Sequence, residues 1–392
     1  MRPLEGINVV TFEHAIAAPF CTRQLADLGA RVIKVERPGG GDFARNYDER
    51  VSGLASHFVW TNRSKESITL DVKQPAAIEV VHQLLSTADV FVQNLAPGAT
   101  QRLGLDYETL REQYPRLIVC DISGYGLDGP FRDKKAYDLL IQSESGFLSI
   151  TGSDGEPAKA GCSIADIAAG MYGYTNILAA LIERGRTGKG RHIDVSMLES
   201  MVEWMNYPLY YAIDGQSAPR QTGAAHATIF PYGPFKAGDG KTVMLGLQNE
   251  REWKKFCDVV IHQPMLTSDE RFCSNSRRVA HREDLSRMIE QAFSTLSSAQ
   301  VIDRLEEAGI ANARMNDMQA VWEHEQLAAR NRWTTVGTSA GEIPALFPPG
   351  LSLTDAPRMD PVPALGQHTT AVLRELGYSD GQIDMLHETG AI

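Results

Sequence analysis

Short apolar runs alternate with helical patterns over roughly the first half of the chain. The runs are rich in β-branched residues, which pack well on a pleated surface, and so they predict strands. Strands that alternate with helices indicate the α/β fold class, with a parallel sheet and right-handed crossovers. The predicted strands are Ile7–Phe12, Arg31–Glu36, Ser67–Leu70, Val90–Val92, Leu117–Ile122 and His192–Val195, and the predicted helices are Pro19–Leu28, Pro75–Ser86, Tyr107–Gln113 and Ile164–Glu183.

The pattern changes near residue 214. The segment Gly215–Gly223 is polar and contains glycine, which is typical of a linker. Beyond it, Thr242–Leu247 has a strand pattern, and residues 249–326 are charged and mainly helical in pattern. The proline-rich segment Pro344–Pro363 predicts extended chain, and the remaining C-terminal residues predict a helix and then a short terminal helix. The sequence therefore indicates a second domain that begins near residue 214.

The longest predicted helix carries a carboxylate, Asp166, in its first turn. The large apolar residues of this helix step by three and four, which predicts one buried stripe. Asp166 lies off that stripe and shares a face with Gly170 and Gly173. Glycine costs about 1 kcal/mol in a helix interior relative to alanine, so the two glycines indicate close approach of another backbone or of a ligand. The predicted stripe consists of Ile164, Ile167, Met171, Tyr174, Leu178 and Leu181.

Two roles for Asp166 fit this pattern. Ser163 and Asp166 match S-x-x-D, a capping box in which Ser163 caps the helix and Asp166 accepts a free backbone N–H. Alternatively, a carboxylate at a helix N-terminus is held ionised by the helix dipole and is available as a nucleophile. The pattern alone favours the cap.

Composition and charge exclude several function classes. The chain has 392 residues, of which 43% are hydrophobic and 22% charged, and a net charge of −11. This is typical of a soluble globular protein that is not attracted to nucleic acid or to an anionic membrane. No apolar run reaches the roughly 18 residues of a membrane span, and the N-terminus lacks a secretory pattern, so we expect a cytoplasmic protein. The five cysteines lack CxxC spacing, which fits reduced thiols and predicts no metal site.

The first strand–helix–strand unit does not fit a dinucleotide-binding fold. Its second strand ends in an acid, Glu36, as such folds require for the ribose. They also need G-x-G-x-x-G between the first strand and the helix, and the turn 13-EHAIAAP-19 contains no glycine. The sequence therefore argues against NAD or FAD.

Several basic residues lie mostly just beyond predicted strand ends, where ligands of open α/β sheets bind. Such a cluster on an acidic protein suits a polyanionic ligand such as a nucleotide or CoA. Unrelated solvated side chains explain the same pattern, and the pattern alone favours that simpler interpretation. The residues are Arg37, Arg45, Lys65, Lys73, Arg102, Lys134 and Lys135.

Blocks of sequence spread over essentially the full length decide between these alternatives. Taken in order, they resemble the class III CoA-transferases, the family of formyl-CoA transferase, carnitine CoA-transferase and alpha-methylacyl-CoA racemase. Within it, the chain is most similar to the dicarboxylate CoA-transferases. The blocks are 4-LEGINVV-10, 24-QLADLGARVIKVERPGGGD-42, 93-QNLAPGA-99, 124-GYGLDGP-130, 135-KAYD-138, 179-AALIERGRTGKGRHIDVSM-197 and 365-LGQHTTAVLRELGYS-379.

The resemblance implies that Asp166 is the catalytic nucleophile. In transferases of this family the equivalent aspartate attacks an acyl-CoA thioester, which gives a mixed anhydride and then an aspartyl-CoA thioester. An incoming carboxylic acid then takes over the CoA. The coenzyme A thioester is a co-substrate, and the resemblance implies neither a permanently bound cofactor nor a metal.

The resemblance also carries CoA contacts onto this chain. Four cations among them, Arg37, Lys73, Arg102 and Lys135, would neutralise phosphates. Formyl-CoA transferase has glutamine where this chain has Ile16, which argues against formyl or oxalyl substrates. The matching positions are Ile16, Ala17, Arg37, Leu70, Asp71, Val72, Lys73, Asn94, Leu95, Arg102, Lys135, Ala136, Tyr137 and Asp138.

Two alternatives to transfer remain. The racemases of the family carry histidine before the conserved acid, where this chain has Tyr137; a phenol of pKa about 10 is a poor proton shuttle. A racemase or epimerase would use Asp166 as its acid or base. The other alternative, a non-catalytic CoA-binding protein, is disfavoured because Asp166 is retained beside Gly170 and Gly173.

The acid substrate is predicted from the second domain. The glycine-rich lid of formyl-CoA members is absent near residues 232–262, and 223-GAAHATIFPYGPFKAGDG-240 resembles members that act on succinate, itaconate or glutarate. His226, if protonated, or Arg45 would meet the distal carboxylate. A packed structural role explains His226 equally well.

The resemblance implies the architecture too. We expect a Rossmann-like large domain at residues 1–215 and 330–392, with a smaller α+β domain inserted at 216–329. Two chains would thread through one another as an interlocked homodimer. Beyond acyl-CoA, the acid and a second copy of itself, we expect neither a nucleic acid nor a membrane as partner.

Overall fold

A computed structural model describes residues 1–351, 354 and 356–392. None of the described helices is both long and apolar enough to cross a membrane. The described strands are β1 (Asn8–Phe12), β2 (Arg31–Glu36), β3 (Lys65–Thr69), β4 (Val90–Gln93), β5 (Ile118–Ser123), β6 (Gly152–Ser153), β7 (Glu156–Pro157), β8 (His192–Ser196), β9 (Tyr232–Lys236), β10 (Thr242–Gly246), β11 (Ala311–Arg314), β12 (Trp333–Thr338) and β13 (Gly341–Leu346).

Short 3₁₀ or π segments lie between the α-helices of the same residues, at Phe43–Asn46, Ile213–Gly215, Phe256–Val260 and Pro264–Thr267. They are α1 (Ala17–Asp27), α2 (Ser56–Thr61), α3 (Pro75–Ser86), α4 (Ala99–Arg102), α5 (Tyr107–Gln113), α6 (Asp138–Glu144), α7 (Phe147–Ile150), α8 (Ile164–Thr187), α9 (Met197–Trp204), α10 (Asn206–Tyr211), α11 (Glu250–Lys255), α12 (Asn275–Ala280), α13 (Arg282–Phe293), α14 (Ser298–Glu307), α15 (Met318–Trp322), α16 (Glu325–Ala329), α17 (Thr369–Glu375) and α18 (Asp380–Glu388).

The central sheet consists of six parallel strands in the order β3-β2-β1-β4-β5-β8. Val10 of β1 pairs with Ile33 of β2 on one side and with Phe91 of β4 on the other. The chain therefore leaves β1 in one direction and later returns to its other side. In such doubly wound sheets, ligands bind beyond the carboxyl ends of the strands at this reversal point. The predicted α/β class with a parallel sheet is confirmed.

Helices cover both faces of this sheet because alternate residues of each strand point to opposite sides. On one side, α3, α5, α17 and α18 share an apolar core with the sheet, which includes Val119 of β5. On the other side, α8 packs on the strand residues that alternate with these. Gly173 of α8 lies against Cys120 and Ile122 of β5. The strands are thus buried on both faces, which is typical of parallel sheets whose strands are continuous apolar runs.

The predicted strands of the sheet are confirmed, with one early start. β3 begins at Lys65 and not at the predicted Ser67. A lysine and a glutamate at positions 65 and 66 hide this start in the sequence. Lys65 is nevertheless buried, because its ammonium group binds the carboxylate of Glu13 at 2.6 Å.

Contacts divide the described chain into two compact units. The prediction gave the small domain residues 216–329, which begin and end later than those found, and it left out an earlier segment. That segment carries the hairpin β6–β7, and the Gly152 carbonyl in it accepts a hydrogen bond from the Gly223 N–H at 2.7 Å. The first unit consists of Met1–Gly146, Ala160–Met205 and Leu327–Ile392, and the second of Phe147–Lys159 and Asn206–Gln326.

The second unit contains an antiparallel sheet in the order β11-β10-β9 and a set of helices. Its core is built from aromatic and branched residues of β10, α11, α13 and α14, including Val243, Trp253 and Phe293. The sequence predicted β10 but read Pro231–Gly240 as turn residues. That segment instead forms β9, with Pro234 paired to Met244.

Candidate active site

The residues that follow β1 and β4 meet at the reversal point of the sheet. The amide of Asn94, just after β4, binds the backbone of His14, just after β1: Oδ1 accepts from the His14 N–H at 2.9 Å and Nδ2 donates to the His14 carbonyl at 2.9 Å. A small cavity of about 50 Å³ lies beside them. It gathers four of the predicted CoA-contact positions, Arg37, Leu70, Val72 and Leu95.

The turn between β1 and α1 is held in an unusual backbone conformation. Ala15 has a φ of +61°, which a non-glycine residue rarely adopts. The Asp42 carboxylate accepts the Ala15 N–H at 2.9 Å and so stabilises this conformation. The next two residues, Ile16 and Ala17, are buried at the start of α1 and are also predicted CoA contacts.

A fully buried charge cluster lies under this turn. Lys34 binds Asp42 at 2.6 Å, and Lys65 binds Glu13 at 2.6 Å, while Asn62 accepts from both ammonium groups. Burial alone would raise the pKa of Glu13, but Lys65 and Lys34 outweigh it and lower that pKa to about 2. The cluster is therefore internal, and Lys65 is a structural residue and not a cation open to a ligand.

The predicted basic cluster thus separates into two groups. Arg45 makes a bidentate ion pair with Glu36, at 2.8 and 2.6 Å, and Lys134 pairs with Glu144. The other four side chains are exposed, and no ion pair involves them within the described part of the chain. They are Arg37, Lys73, Arg102 and Lys135, the four cations assigned to phosphates.

Asp166 lies in the first turn of α8, as predicted, but the capping box does not form. The Ser163 side chain makes no capping hydrogen bond. Instead, Oδ1 of Asp138, from α6, accepts the N–H of Ala165 at 2.8 Å and that of Asp166 at 3.4 Å. The helix therefore receives its cap from another helix, which a local sequence motif cannot reveal.

The expectation that Asp166 is held ionised by the helix dipole is also wrong. Burial, and then the nearby Asp138 carboxylate, raise the pKa of Asp166 to about 7. No ion pair involves Asp166 within the described part of the chain. At neutral pH the carboxyl group is thus near its midpoint, and its ionised form is more basic than an ordinary aspartate.

The predicted close approach at the two glycines is confirmed, and the group that approaches them is helix α1 of the same chain and not a ligand. A Cβ on Gly170 would lie 2.7 Å from the carbonyl oxygen of Ala17 in α1, and one on Gly173 would lie 3.3 Å from Cys21 Sγ. The buried face of α8 is the one with small residues, including Ala165, Ala169 and Gly173, while Ile164 and the rest of the predicted stripe are only partly buried. Within the single chain, the prediction of the buried stripe was wrong.

Two tyrosines lie near Asp138 and Asp166, and only one of them, Tyr137, was predicted from the sequence. Tyr137 is 72% exposed, immediately before Asp138. Tyr47 follows the 3₁₀ turn Phe43–Asn46; its burial, Asp42, Asp166 and Tyr137 together raise its pKa. Nothing in the pattern around Tyr47 signalled this proximity, because the residue is far from α8 in sequence.

The two residues predicted to meet a distal carboxylate are otherwise engaged. The guanidinium of Arg45 pairs with Glu36 and lies over the Phe58 ring, so it is not available to a substrate carboxylate. Nδ1 of His226 accepts the N–H groups of Thr228 and Ile229, at 3.2 and 3.1 Å, and the ring stacks on Tyr232. A proton on Nδ1 would displace both donors, which leaves Nε2–H of a neutral ring as the group available to a substrate.

Comparison with known proteins identifies the family. The model of CoA-transferase family III matches residues 4–369. The chain belongs to this family. It is 35% identical to succinyl-CoA:glutarate CoA-transferase of Mus musculus, over 100% of this chain and 91% of that protein. It is 37% identical to acetyl-CoA:oxalate CoA-transferase of Acetobacter aceti, over 84% of this chain and 85% of that protein.

A solved structure agrees with this assignment. The crystal structure of a CAIB/BAIF family protein from Brucella suis matches with a TM-score of 0.83 and 33% identity, over 96% of this chain and 99% of that chain. The resemblance inferred from the sequence blocks is therefore confirmed. The chain is an enzyme, a class III acyl-CoA:carboxylate CoA-transferase.

Proposed function

We propose that this CoA-transferase moves CoA from an acyl-CoA, such as succinyl-CoA, to a short dicarboxylic acid, with Asp166 as covalent nucleophile. The observation that carries the proposal is the state of Asp166: a partly buried carboxylate without an ion-pair partner in the described chain, whose pKa is raised to about 7. An aspartate that served only as a helix cap would instead accept the free N–H groups, which Asp138 accepts here.

The chemistry balances without an added proton or metal. The Asp166 carboxylate attacks the thioester carbonyl, the C–S bond breaks, and a mixed anhydride and CoA thiolate result. The thiolate attacks the aspartyl carbonyl, which releases the donor acid and leaves an aspartyl-CoA thioester. The acceptor carboxylate then attacks this thioester and expels the thiolate again. Attack of the thiolate on the acceptor carbonyl gives the new acyl-CoA and restores Asp166. Covalent catalysis splits one difficult exchange into easier steps.

The basicity of Asp166 favours the first step. A carboxylate is a weak nucleophile when it is fully solvated, and its attack strengthens as its conjugate acid weakens. Burial and a neighbouring negative charge both work in that direction. At the same time, a pKa of about 7 leaves a substantial ionised fraction at neutral pH.

CoA is proposed to bind at the reversal point of the sheet. The buried turn at Ile16 and Ala17 and the strand ends Leu70–Lys73 and Asn94–Leu95 would contact it, together with the segment Lys135–Tyr137. The four exposed cations would neutralise its phosphates, and none of them makes an ion pair within the described residues.

The proposed class of acceptor acid is supported by the relatives and by a residue of the second unit. Two of the relatives above are named for dicarboxylic acids, glutarate and oxalate. Ile16 in place of glutamine still argues against oxalate, and so we propose a longer acid such as succinate, itaconate or glutarate. Nε2–H of His226 would donate to the distal carboxylate. Racemisation is the weaker candidate because Tyr137 stands where a racemase has histidine.

The proposed assembly is an interlocked homodimer. The partly buried apolar residues of α8, with Ile182 62% exposed, support burial against a second chain. If the chains are linked, dilution should release no folded monomer. Sedimentation at decreasing concentrations tests this, and a folded, concentration-dependent monomer would rule the linkage out.

A substrate screen tests the proposed reaction. Purified enzyme is incubated with succinyl-CoA and a panel of free acids, and the acyl-CoA products are identified by mass. We expect new dicarboxyl-CoA thioesters to form in preference to monocarboxyl ones. Products from monocarboxylic acids only, or inversion of an α-methylacyl-CoA without transfer, would contradict the proposal.

A further inference from the structure

Asp138 uses both of its carboxylate oxygens inside the protein. Oδ1 accepts the N–H groups of Ala165 and Asp166, at 2.8 and 3.4 Å, and Oδ2 accepts from Nε2 of Gln142 at 2.7 Å. The orientation of the Gln142 amide is fixed in turn, because its Oε1 accepts the Ala160 N–H at 2.9 Å. Three N–H donors thus point at the two oxygens of Asp138, an arrangement that suits a carboxylate.

This arrangement differs from an ordinary helix cap. The first N–H groups of a helix lack partners within it and stabilise nearby negative charge. Asp166 lies in that first turn and would normally benefit from them. Asp138 occupies two of these groups and brings a negative charge of its own, so the helix terminus stabilises Asp138 instead of Asp166.

We propose that Asp138 is a positioning residue of the transfer reaction: it fixes the first turn of α8 and, through its charge, keeps the carboxylate of Asp166 basic and nucleophilic. This inference rests on the proposed covalent role of Asp166. It replaces the contact with CoA that the family resemblance implied for Asp138, since both Asp138 oxygens already have protein partners.

The other groups around Asp166 do not supply this effect. Among the described residues, the titratable side chains that interact with it are Asp138 on α6 and Tyr47 after the 3₁₀ turn. The Tyr47 phenol is neutral at physiological pH, because burial and nearby negative charges raise its pKa above the usual value of about 10. Asp138 is therefore the charged neighbour, and the raised pKa of Asp166 agrees with this, with burial as the larger cause.

A pair of variants separates charge from geometry. Asp138→Asn removes the charge but turns an amide N–H₂ toward that of Gln142. The double variant Asp138→Asn with Gln142→Glu restores complementary hydrogen bonds. In it, the introduced amide would accept from α8 and donate to the introduced carboxylate, which would still accept the Ala160 N–H. The negative charge then lies one side chain farther from Asp166.

The measurement is the pH dependence of single-turnover adduct formation at Asp166 with succinyl-CoA, trapped by hydroxylamine and read by mass spectrometry. We expect the double variant to keep the melting temperature near that of the wild type. Its midpoint should fall by about one pH unit, since removal of a like charge lowers a carboxyl pKa, and the rate at its high-pH plateau should fall several-fold.

The outcomes are distinguishable. A double variant that folds and keeps the wild-type midpoint and plateau would overturn the role of Asp138. A lower melting temperature with an unchanged midpoint would do the same, since it marks a purely structural cap. If the wild type itself forms no adduct at Asp166, the proposed function fails and this role fails with it.

Discussion

Gly170 of α8 lies so close to Ala17 of α1 that a Cβ at position 170 would sit 2.7 Å from the Ala17 carbonyl oxygen. The obstacle is backbone, which cannot rotate aside as a side chain does. Gly170→Ala must therefore push apart the helix that carries Asp166 and the helix that begins at the proposed CoA turn. The contact links the proposed nucleophile to the proposed CoA-binding turn within one unit.

Gly170→Ala should lower the free energy of unfolding by about 1–3 kcal/mol, as overpacking does, and raise the KM for acyl-CoA. Gly185→Ala is the matched control: it lies in the same helix with nothing within 4 Å of the added Cβ, and should stabilise the protein by up to about 1 kcal/mol. Urea unfolding and acyl-CoA kinetics measure both. Equal stability of the two variants would refute the close packing.

The buried Glu13–Lys65 ion pair should make the free energy of unfolding depend on pH. Because the folded pKa of Glu13 is lowered from 4.5 to about 2, its contribution is present above pH 4.5 and is lost as the pH falls toward 2. Glu13→Gln should cost about 3 kcal/mol at pH 7, as removal of one partner of a buried pair does, and should weaken the loss of stability on acidification.

The control for this pair lies on the surface. Glu108 and Arg111 form an exposed ion pair, so Glu108→Gln should change the unfolding free energy by less than about 1 kcal/mol. Unfolding at a series of pH values provides the comparison. An acid-unfolding profile of Glu13→Gln parallel to that of the wild type would argue against a depressed Glu13 pKa.

Removal of an exposed cation should selectively weaken the binding of acyl-CoA. Lys135→Ala and Lys73→Ala should each raise the KM for acyl-CoA by about three- to tenfold, since one partly screened phosphate contact is lost. The KM for the acid should not change. Lys134→Ala serves as the neighbour control, because Lys134 already pairs with Glu144. The same increase in all three variants would mean that general charge, and not a set of specific contacts, attracts CoA.

A substitution at His226 tests the class of acceptor acid without causing a folding defect. Asn at this position supplies an amide oxygen near the place of Nδ1, which accepts two backbone N–H groups, but offers nothing at the place of Nε2. His226→Asn should therefore retain stability, raise the KM for succinate and spare butyrate. An equal effect on both acids would end the assignment of a distal contact to His226.

The sequence predicted the parallel sheet and its helices because continuous apolar strands and turn residues are local signals. It failed on α8, where steps of three and four fit two faces equally: the bulky stripe from Ile164 to Leu181 and the small-residue stripe that includes Ala165 and Gly173. Only the closeness of α1 decides between them, since a helix that approaches another backbone must bury its small residues.

The family resemblance supplied the candidate residues of the site, Asp166 and the four cations proposed to bind phosphates, but not the contacts between them. The cap from Asp138, the burial of Lys65 against Glu13 and the nearness of Tyr47 to Asp166 join positions far apart in the chain. No spacing rule connects such residues, because their contacts arise only when strands and helices pack together.

The covalent role of Asp166 is tested most directly by trapping its acylated form. Enzyme is mixed with succinyl-CoA, treated with hydroxylamine and digested, and the peptide that contains Asp166 is analysed by mass spectrometry. The account predicts an aspartyl hydroxamate on that residue in the wild type, none in Asp166→Asn, and loss of transfer by several orders of magnitude in that folded variant. Near-normal transfer by Asp166→Asn, or a wild-type enzyme that turns over without any hydroxamate at Asp166, would contradict it.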